Sequence, residues 1–85
     1  MGTLYLETKY LLFEDWTPKD RKTRILHVIS VNQGNTLGAI RWYGAWRQYC
    51  FYPSANTIWN TECLSEIRGA IIGLMEERKN RAGSA

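Results

Sequence analysis

The chain has 85 residues, of which 45% are hydrophobic and 22% charged, and its formal net charge is +3. A chain of this length can make one thin hydrophobic core, which excludes a second domain, a nucleotide-binding βαβ repeat and a barrel. The balance of apolar and charged residues is typical of a soluble globular domain rather than a disordered tail. The longest stretch without a formal charge, residues 25–40, is interrupted by polar residues. It therefore falls short of the roughly 20 apolar residues that a membrane-spanning helix needs.

The start of the chain and its cysteines predict a protein of the reducing cytoplasm. Residues 1–4 lack the basic-then-apolar order of a secretion signal. Cys50 and Cys63 are the only cysteines and do not form a C-x-x-C pair, so we expect no disulfide framework. His27 is the only histidine, and the ligand set of a zinc site is therefore missing. We expect no metal and no other cofactor.

The first 20 residues fit more than one structure. Residues 4–13 alternate in a way that suits a β-strand, although a helix also fits. Residues 14–22, around Pro18, are predicted to form a polar loop. We therefore expect an N-terminal extension or a fourth strand over residues 1–20, and a main unit over residues 22–81.

Residues 24–52 predict an antiparallel meander. β-branched and alternating residues favour three strands. These strands are expected at residues 24–31, 36–43 and 46–52. Residues 32–35 (NQGN) tolerate the positive φ of a tight turn, and Gly44-Ala45 suits a two-residue hairpin turn. Pro53 ends the third strand because proline cannot donate to the ladder.

The turns set a register, and the register divides the predicted sheet into two faces. With Gly44-Ala45 at the turn, Trp42 lies opposite Arg47. The two are either a cross-strand cation–π pair or residues that only hold the sheet together. The face predicted to lie under the helix holds Ile25, His27, Ile29, Gly38, Ile40, Trp42, Arg47, Tyr49 and Phe51. The second face is amphipathic and holds Leu26, Val28, Ser30, Leu37, Ala39, Arg41, Tyr43, Trp46, Gln48, Cys50 and Tyr52. A slip of one residue in a hairpin would exchange its faces.

A C-terminal helix is predicted over residues 61–80. Asn60 is a suitable N-cap, and Glu62 in the first turn complements the helix dipole. The apolar stripe of the helix holds Leu64, Ile67, Ile71, Leu74 and Met75. With the sheet it predicts a core of Ile25, Ile29, Ile40, Trp42, Tyr49, Phe51, Leu64, Ile67, Ile71 and Leu74. The expected fold class is α+β, an antiparallel meander packed on one C-terminal helix.

The segment from Gly38 to Pro53 has a distinctive pattern, G-x-I-x-W-Y-x-x-W-R-x-Y-x-F-x-P. It resembles a family of short, uncharacterised proteins of bacteriophages, prophages and mobile gene cassettes of integrons. The resemblance covers residues 22–75. Gly69 and Gly73 depart from the family pattern, because ordinary helix formers are expected at these two positions. It implies an origin in a mobile genetic element and brings no catalytic activity with it.

The amphipathic second face leads to the main functional hypothesis, a non-enzymatic protein that forms homo-oligomers. A thin core gains stability from association, and large aromatic side chains with arginine are enriched at interface centres. The expected interface is the N-terminal arm or the residues Leu26, Val28, Arg41, Tyr43, Trp46 and Tyr52. A host protein or a protein of the same mobile element is a further candidate partner. The competing arrangement is a monomer in which residues 4–13 cover this face.

Two other interpretations remain open: a nucleic-acid binder, and a small-ligand binder or enzyme. The same face is expected to suit single-stranded nucleic acid, with bases stacked on Tyr43, Trp46 and Tyr52 and with Arg41 on phosphate. The basic run at residues 19–24 (KDRKTR) is interpreted as a solvated loop or as a weak phosphate contact. An enzyme is not expected, because the chain lacks paired carboxylates and a nucleophile–base pair, and His27 is predicted to be a hydrogen-bonded core residue.

Overall fold

The computed structural model describes residues 2–83 as an antiparallel sheet with one helix on one of its faces. The strands are β1 (Thr3–Glu7), β2 (Leu11–Asp15), β3 (Leu26–Ser30), β4 (Thr36–Tyr43) and β5 (Gln48–Pro53), and the helix is α1 (Thr61–Gly83). The five strands lie in the sheet in chain order. The α+β class is confirmed, and the number of strands, predicted as three or four, is corrected to five.

The N-terminal residues form a hairpin and not a single strand or a helix. The turn closes where the Thr8 N–H donates to the Leu11 carbonyl at 2.8 Å. Residues 8–10 contain neither glycine nor proline, and this is why the alternation over residues 4–13 hid the turn. β2 pairs with β3, so the hairpin adds two strands to the edge of the sheet. Residues 4–13 therefore do not cover the second face, and this part of the competing arrangement is wrong.

The turn between β4 and β5 has four residues, Gly44 to Arg47, instead of the predicted two. Arg47 ends it with a φ of 52°, a left-handed conformation that few non-glycine residues adopt. The register consequently moves by two residues, so that Trp42 lies opposite Tyr49 and not opposite Arg47. Because the shift is even, the side chains of β4 and β5 keep their predicted faces.

The β3–β4 pairing differs from the prediction by one residue. Leu26 lies opposite Ile40 and Val28 opposite Gly38, and an irregularity next to Val28 leaves Leu37 as an extra residue in β4. An odd shift exchanges the faces of a strand. Leu26 and Val28 are therefore fully buried on the helix side, and the prediction that they belong to the second face is wrong. By the same exchange, His27, predicted to be a core residue, lies on the second face.

The core lies between the sheet and one side of α1. It consists of Leu11, Phe13, Leu26, Val28, Ile40, Tyr49, Ile67, Ala70 and Leu74. The predicted core positions Ile40, Tyr49, Ile67 and Leu74 are confirmed, and Trp42, Phe51 and Ile71 pack against this cluster while half-buried. Leu64 is 49% exposed, so its predicted burial is wrong. Ile25 and Ile29 alternate along the chain with the buried Leu26 and Val28 and therefore point away from the helix.

The start of the helix follows the sequence closely. The Asn60 side chain accepts a hydrogen bond from the Cys63 N–H at 2.8 Å, which confirms the predicted N-cap. Just before it, the Trp59 ring meets the Phe51 ring edge-to-face, with centroids 4.9 Å apart, and anchors the connection to β5. Within the described residues, no helix combines the length and the apolar character needed to cross a membrane.

Replacing Ile67 with alanine should lower the free energy of unfolding by about 2–5 kcal/mol, because it opens a cavity in the core. Ile72→Ala on the same helix removes the same atoms from a side chain that is 39% exposed. It should cost less than about 1 kcal/mol. Urea unfolding of both variants gives the comparison, and equal losses would contradict the placement of α1.

Candidate interaction surface

The face of the sheet opposite α1 carries no strand or helix of the described residues. We call this surface the open face; its residues include Leu4, Glu7, Leu12, Glu14, Trp16, His27, Ile29, Ala39, Arg41, Tyr43, Trp46, Cys50 and Tyr52. The strand residues among them alternate with residues of the core, and pairing across strands places them side by side. Four of the six predicted interface residues (Arg41, Tyr43, Trp46 and Tyr52) are on this face, and Leu26 and Val28 are in the core.

Aromatic rings dominate the half of the open face that β4 and β5 form. The Tyr43 and Trp46 rings meet edge-to-face with centroids 5.1 Å apart, and Trp46 is 67% exposed. The guanidinium of Arg41 lies 5.0 Å from the centre of the Tyr52 ring. Tyr43 and Tyr52 each expose 39% of their surface. These contacts hold the rings in place while a large part of each remains in water.

Trp16 and His27 extend the aromatic surface toward the other edge. Their rings stack with centroids 5.0 Å apart and planes 16° from parallel. The Trp16 Nε1–H donates to the Glu14 carboxylate at 3.1 Å. The sequence placed Trp16 in a polar loop and His27 in the core, so it missed both. The sequence did show that His27 alternates with Leu26 and Val28 and so lies on the other face from them. Only the correct β3–β4 register tells which of the two faces is buried.

Charge is divided across the open face. Its acidic residues are Glu14 on β2 and Glu7 on β1, which pairs with Leu12, and Arg41 on β4 is its arginine. β3 separates β1 and β2 from β4 in the sheet. The chain from residue 25 to residue 61 contains no acid, so the β4–β5 half of the face carries no negative charge. The open face is therefore negatively charged on one side of β3 and positively charged on the other.

Arg24, the last residue of the basic run, lies at the centre of a polar cluster that the sequence did not predict. It pairs with Asp15, and its guanidinium donates to both oxygens of Glu77 on α1 at 2.6 and 2.9 Å. Its backbone N–H donates to the Tyr49 hydroxyl at 3.0 Å, and its guanidinium lies 5.1 Å from the centre of the Tyr5 ring. Arg24 thereby ties the helix to the sheet. The rest of the run, residues 19–22, is exposed loop.

These contacts displace the pKa values of three groups. The hydrogen bonds to Glu77 raise the pKa of Arg24 further above its ordinary value, against the effect of burial. Burial acts to raise the pKa of Asp15, but hydrogen bonds from Thr17 and the pairing with Arg24 outweigh it, and the pKa lies below its ordinary value. Burial, with the charge of Glu77 added, raises the pKa of Tyr5. At neutral pH, Arg24 and Asp15 are therefore charged and Tyr5 is neutral, which are the forms that keep the cluster intact.

The predicted cation–π pair of Trp42 and Arg47 is replaced by another. Arg78 of α1 places its guanidinium 4.1 Å from the centre of the Trp42 ring, and Trp42 also meets Tyr49 edge-to-face. Arg47 lies in the four-residue turn, and Tyr49 takes the position opposite Trp42. The prediction failed because it assigned the arginine from the same hairpin and did not consider the helix.

Residues with chemical reactivity are few and separate. Cys50 and Cys63 are free thiols, both partly buried. In the described part of the chain, no three His, Cys, Asp or Glu side chains come close enough together to hold a metal ion. Gly69 and Gly73 face open space on the outside of α1, so within the described residues no second helix packs on them.

One relative of known origin is similar to this chain over most of its length. The chain is 38% identical over 72 residues to an uncharacterised 9.3 kDa protein of Acholeplasma phage L2. The match covers 85% of this chain and 92% of the relative. No family model matches the chain, and no solved structure matches it.

Asp15→Asn should lower the free energy of unfolding at pH 7 by roughly 1–3 kcal/mol, because Arg24 loses a charged partner. A lowered folded-state pKa means that the unmodified protein has this stability above the unfolded-state pKa and loses it as the pH falls through the folded-state pKa. The variant should therefore lose less stability than the unmodified protein between about pH 5 and pH 2. Asp20→Asn, in the exposed loop, is the matched control, and chemical unfolding across this pH range is the measurement. If Asp15→Asn and Asp20→Asn show the same free energy of unfolding at each pH, the pairing of Asp15 with Arg24 does not contribute to stability.

Proposed function

The chain belongs to the same family as the uncharacterised protein of Acholeplasma phage L2, and we propose that it serves a phage or another mobile genetic element as a non-enzymatic, self-associating interaction protein. The observation that carries the proposal is the open face, a sheet surface with exposed aromatic rings opposite the only helix of the described residues. The resemblance of the segment from Gly38 to Pro53 implies gene cassettes of integrons as another source, and we propose the same role for the chain if it comes from such a cassette.

Apolar area on the open face supports association. Trp46, Tyr43, Tyr52 and Trp16 are between 39% and 67% exposed, and all belong to this surface. Removing apolar surface from water stabilises a complex by about 25 cal/mol per Å² of buried area. Rigid aromatic side chains also lose little conformational entropy when they are buried. Tyr, Trp and Arg are the residues that most often supply the binding energy at interface centres. A surface of this composition favours a protein partner.

The division of charge favours a second copy of the same chain as that partner. In a dimer with a two-fold axis along β3, the β2 of one protomer lies over the β4 of its partner. Glu14 of each protomer then approaches Arg41 of the other, and the negative and positive sides of the two faces coincide. The interface is self-complementary in charge as well as in apolar surface.

Single-stranded nucleic acid is the second candidate for the same face. The exposed rings of Tyr43 and Trp46, with Arg41 nearby, favour base stacking and a phosphate contact. The Glu14 carboxylate at the other side of the face opposes it, because it repels phosphate. A host protein or a protein of the same element remains a further candidate partner for the aromatic half.

Sedimentation equilibrium at micromolar concentration tests self-association. The unmodified protein should give at least twice the chain mass of 9.9 kDa, and the double variant Tyr43→Ser/Trp46→Ser should give the chain mass with its circular dichroism spectrum kept. Ile72→Ser is the matched control, because Ile72 has the same 39% exposure as Tyr43 but lies on the helix. It should leave the oligomer intact. A single species at the chain mass for the unmodified protein would end the proposal.

A charge exchange tests the orientation of the two copies. Arg41→Glu should shift the equilibrium toward the monomer, since it faces Glu14 of the partner with like charge. Glu14→Arg in the same chain should restore the oligomer, because the pair is then reversed but complementary. Sedimentation of the single and double variants gives the result. If the double variant associates no better than Arg41→Glu alone, the proposed axis along β3 is incorrect.

A further inference from the structure

We infer that a cleft between α1 and the β4–β5 turn is a binding site for the phosphate groups of nucleotides, free or within a single strand. The cleft has a volume of about 550 Å³. Its lining residues are Trp42, Gly44, Arg47, Met75, Arg78 and Lys79. Two arginines and one lysine thus converge from two separate elements, the turn and the helix. None of the lining residues is acidic.

The cations of the cleft have no carboxylate partners among the described side chains. Both ion pairs in that part of the chain are made by Arg24. Glu77, which precedes Arg78 in the helix, is held by Arg24, and Glu76 lines the neighbouring groove with Lys79. Arg47 and Arg78 therefore keep their hydrogen-bond donors available. An anion in the cleft gives these donors partners and screens their mutual repulsion.

Two features hold the arginines in position. The guanidinium carbon of Arg78 lies 4.1 Å from the centre of the Trp42 ring, which restrains the arginine while its side chain stays exposed to solvent. Arg47 ends the β4–β5 turn in a left-handed backbone conformation with a φ of 52°. Such a conformation costs free energy in a non-glycine residue and is often found at functional sites. It places Arg47 at the rim of the cleft, although the sequence suggested a strand position for it.

The chemistry of these groups identifies the class of ligand. Guanidinium groups bind phosphate oxygens with two parallel hydrogen bonds, and a lysine adds a compact positive charge. The outer surface of Arg78, stacked on Trp42, is available to the flat ring of a base. A phosphate joined to a base fits both parts of the cleft. The ligand is therefore a nucleotide phosphate rather than an isolated inorganic anion.

The cleft is independent of the proposed self-association. Met75, Arg78 and Lys79 belong to α1, and Trp42 points toward the helix side of the sheet. The open face lies on the opposite side. An oligomer formed through the open face leaves the cleft accessible in each protomer, so the two proposals can fail separately.

Fluorescence anisotropy of a labelled oligothymidylate, measured at about 50 and 200 mM NaCl, tests the site. Arg78→Ala and Arg47→Asn should each weaken binding by about three- to tenfold and reduce the slope of log K against log salt by about 0.7. Asparagine is chosen for position 47 because it accepts the left-handed backbone while removing the charge. Arg68→Ala is the control of equal charge, an exposed arginine elsewhere on the same helix, and should bind like the unmodified protein.

Competition by ATP separates the two sources of the phosphate. If ATP displaces the oligonucleotide from the unmodified protein but not from Arg78→Ala, free nucleotides enter the cleft. If the strand binds and ATP does not displace it, the cleft binds the backbone of the polymer. Either result supports the site. It is overturned if the unmodified protein binds neither ligand at about 50 mM NaCl, or if Arg68→Ala weakens binding as much as Arg78→Ala. Loss of binding in Arg41→Ala with Arg78→Ala unaffected would instead assign nucleic acid to the open face.

Discussion

One helix has to cover a sheet of five strands, and this mismatch of width governs the rest of the molecule. Strands lie about 4.8 Å apart, so the sheet is roughly 19 Å wide between its outer strands, whereas a helix with its side chains is about 10–12 Å across. α1 therefore covers one face incompletely and leaves the other without cover. Large side chains at the margins complete the first face, since Tyr5, Tyr10, Trp42, Phe51 and Trp59 pack half-buried around the core. The second face has only its own aromatic contacts.

Polar contacts at two places fix how the helix lies on the sheet. Glu66 accepts hydrogen bonds from the turn between β1 and β2, through the Thr8 hydroxyl and the Tyr10 N–H. Glu77, about three helical turns further on, accepts hydrogen bonds from Arg24, two residues before β3. Arg24 also pairs with Asp15, whose pKa lies below its ordinary value, so the stability that this pair contributes is lost as the pH falls through the folded-state pKa of Asp15. The apolar contacts supply the stability, and these two polar contacts define the direction of the helix.

The sequence predicted what depends on periodicity and failed where one residue was inserted. β4, β5 and α1 follow the change from period 2 to period 3.6, and Asn60 marks the helix start as expected. The β4–β5 turn was wrong by an even number, so Arg41, Tyr43 and Tyr52 stayed on their face. At the β3–β4 pairing, the extra residue Leu37 made the shift odd and moved Leu26 and Val28 into the core. No local signal marks that irregularity, and long-range partners such as Arg24–Glu77 leave no trace in a single sequence.

The same basic and aromatic residue types have different uses on the two sides of the sheet, and their surroundings determine which. On the open face, Arg41 and Tyr52 lie among exposed rings, with the acids Glu7 and Glu14 across β3. This combination suits a surface that pairs with the same surface of a second copy. On the helix side, Arg78 stacks on Trp42 beside Arg47 and Lys79 without an acid in the cleft, so the positive charge accumulates and favours an anion. A protomer that associates through the first surface still presents the second to solvent. The dimer that we propose carries two of the proposed phosphate-binding clefts, and a strand long enough to reach both would bind more tightly than a mononucleotide because its second contact is intramolecular.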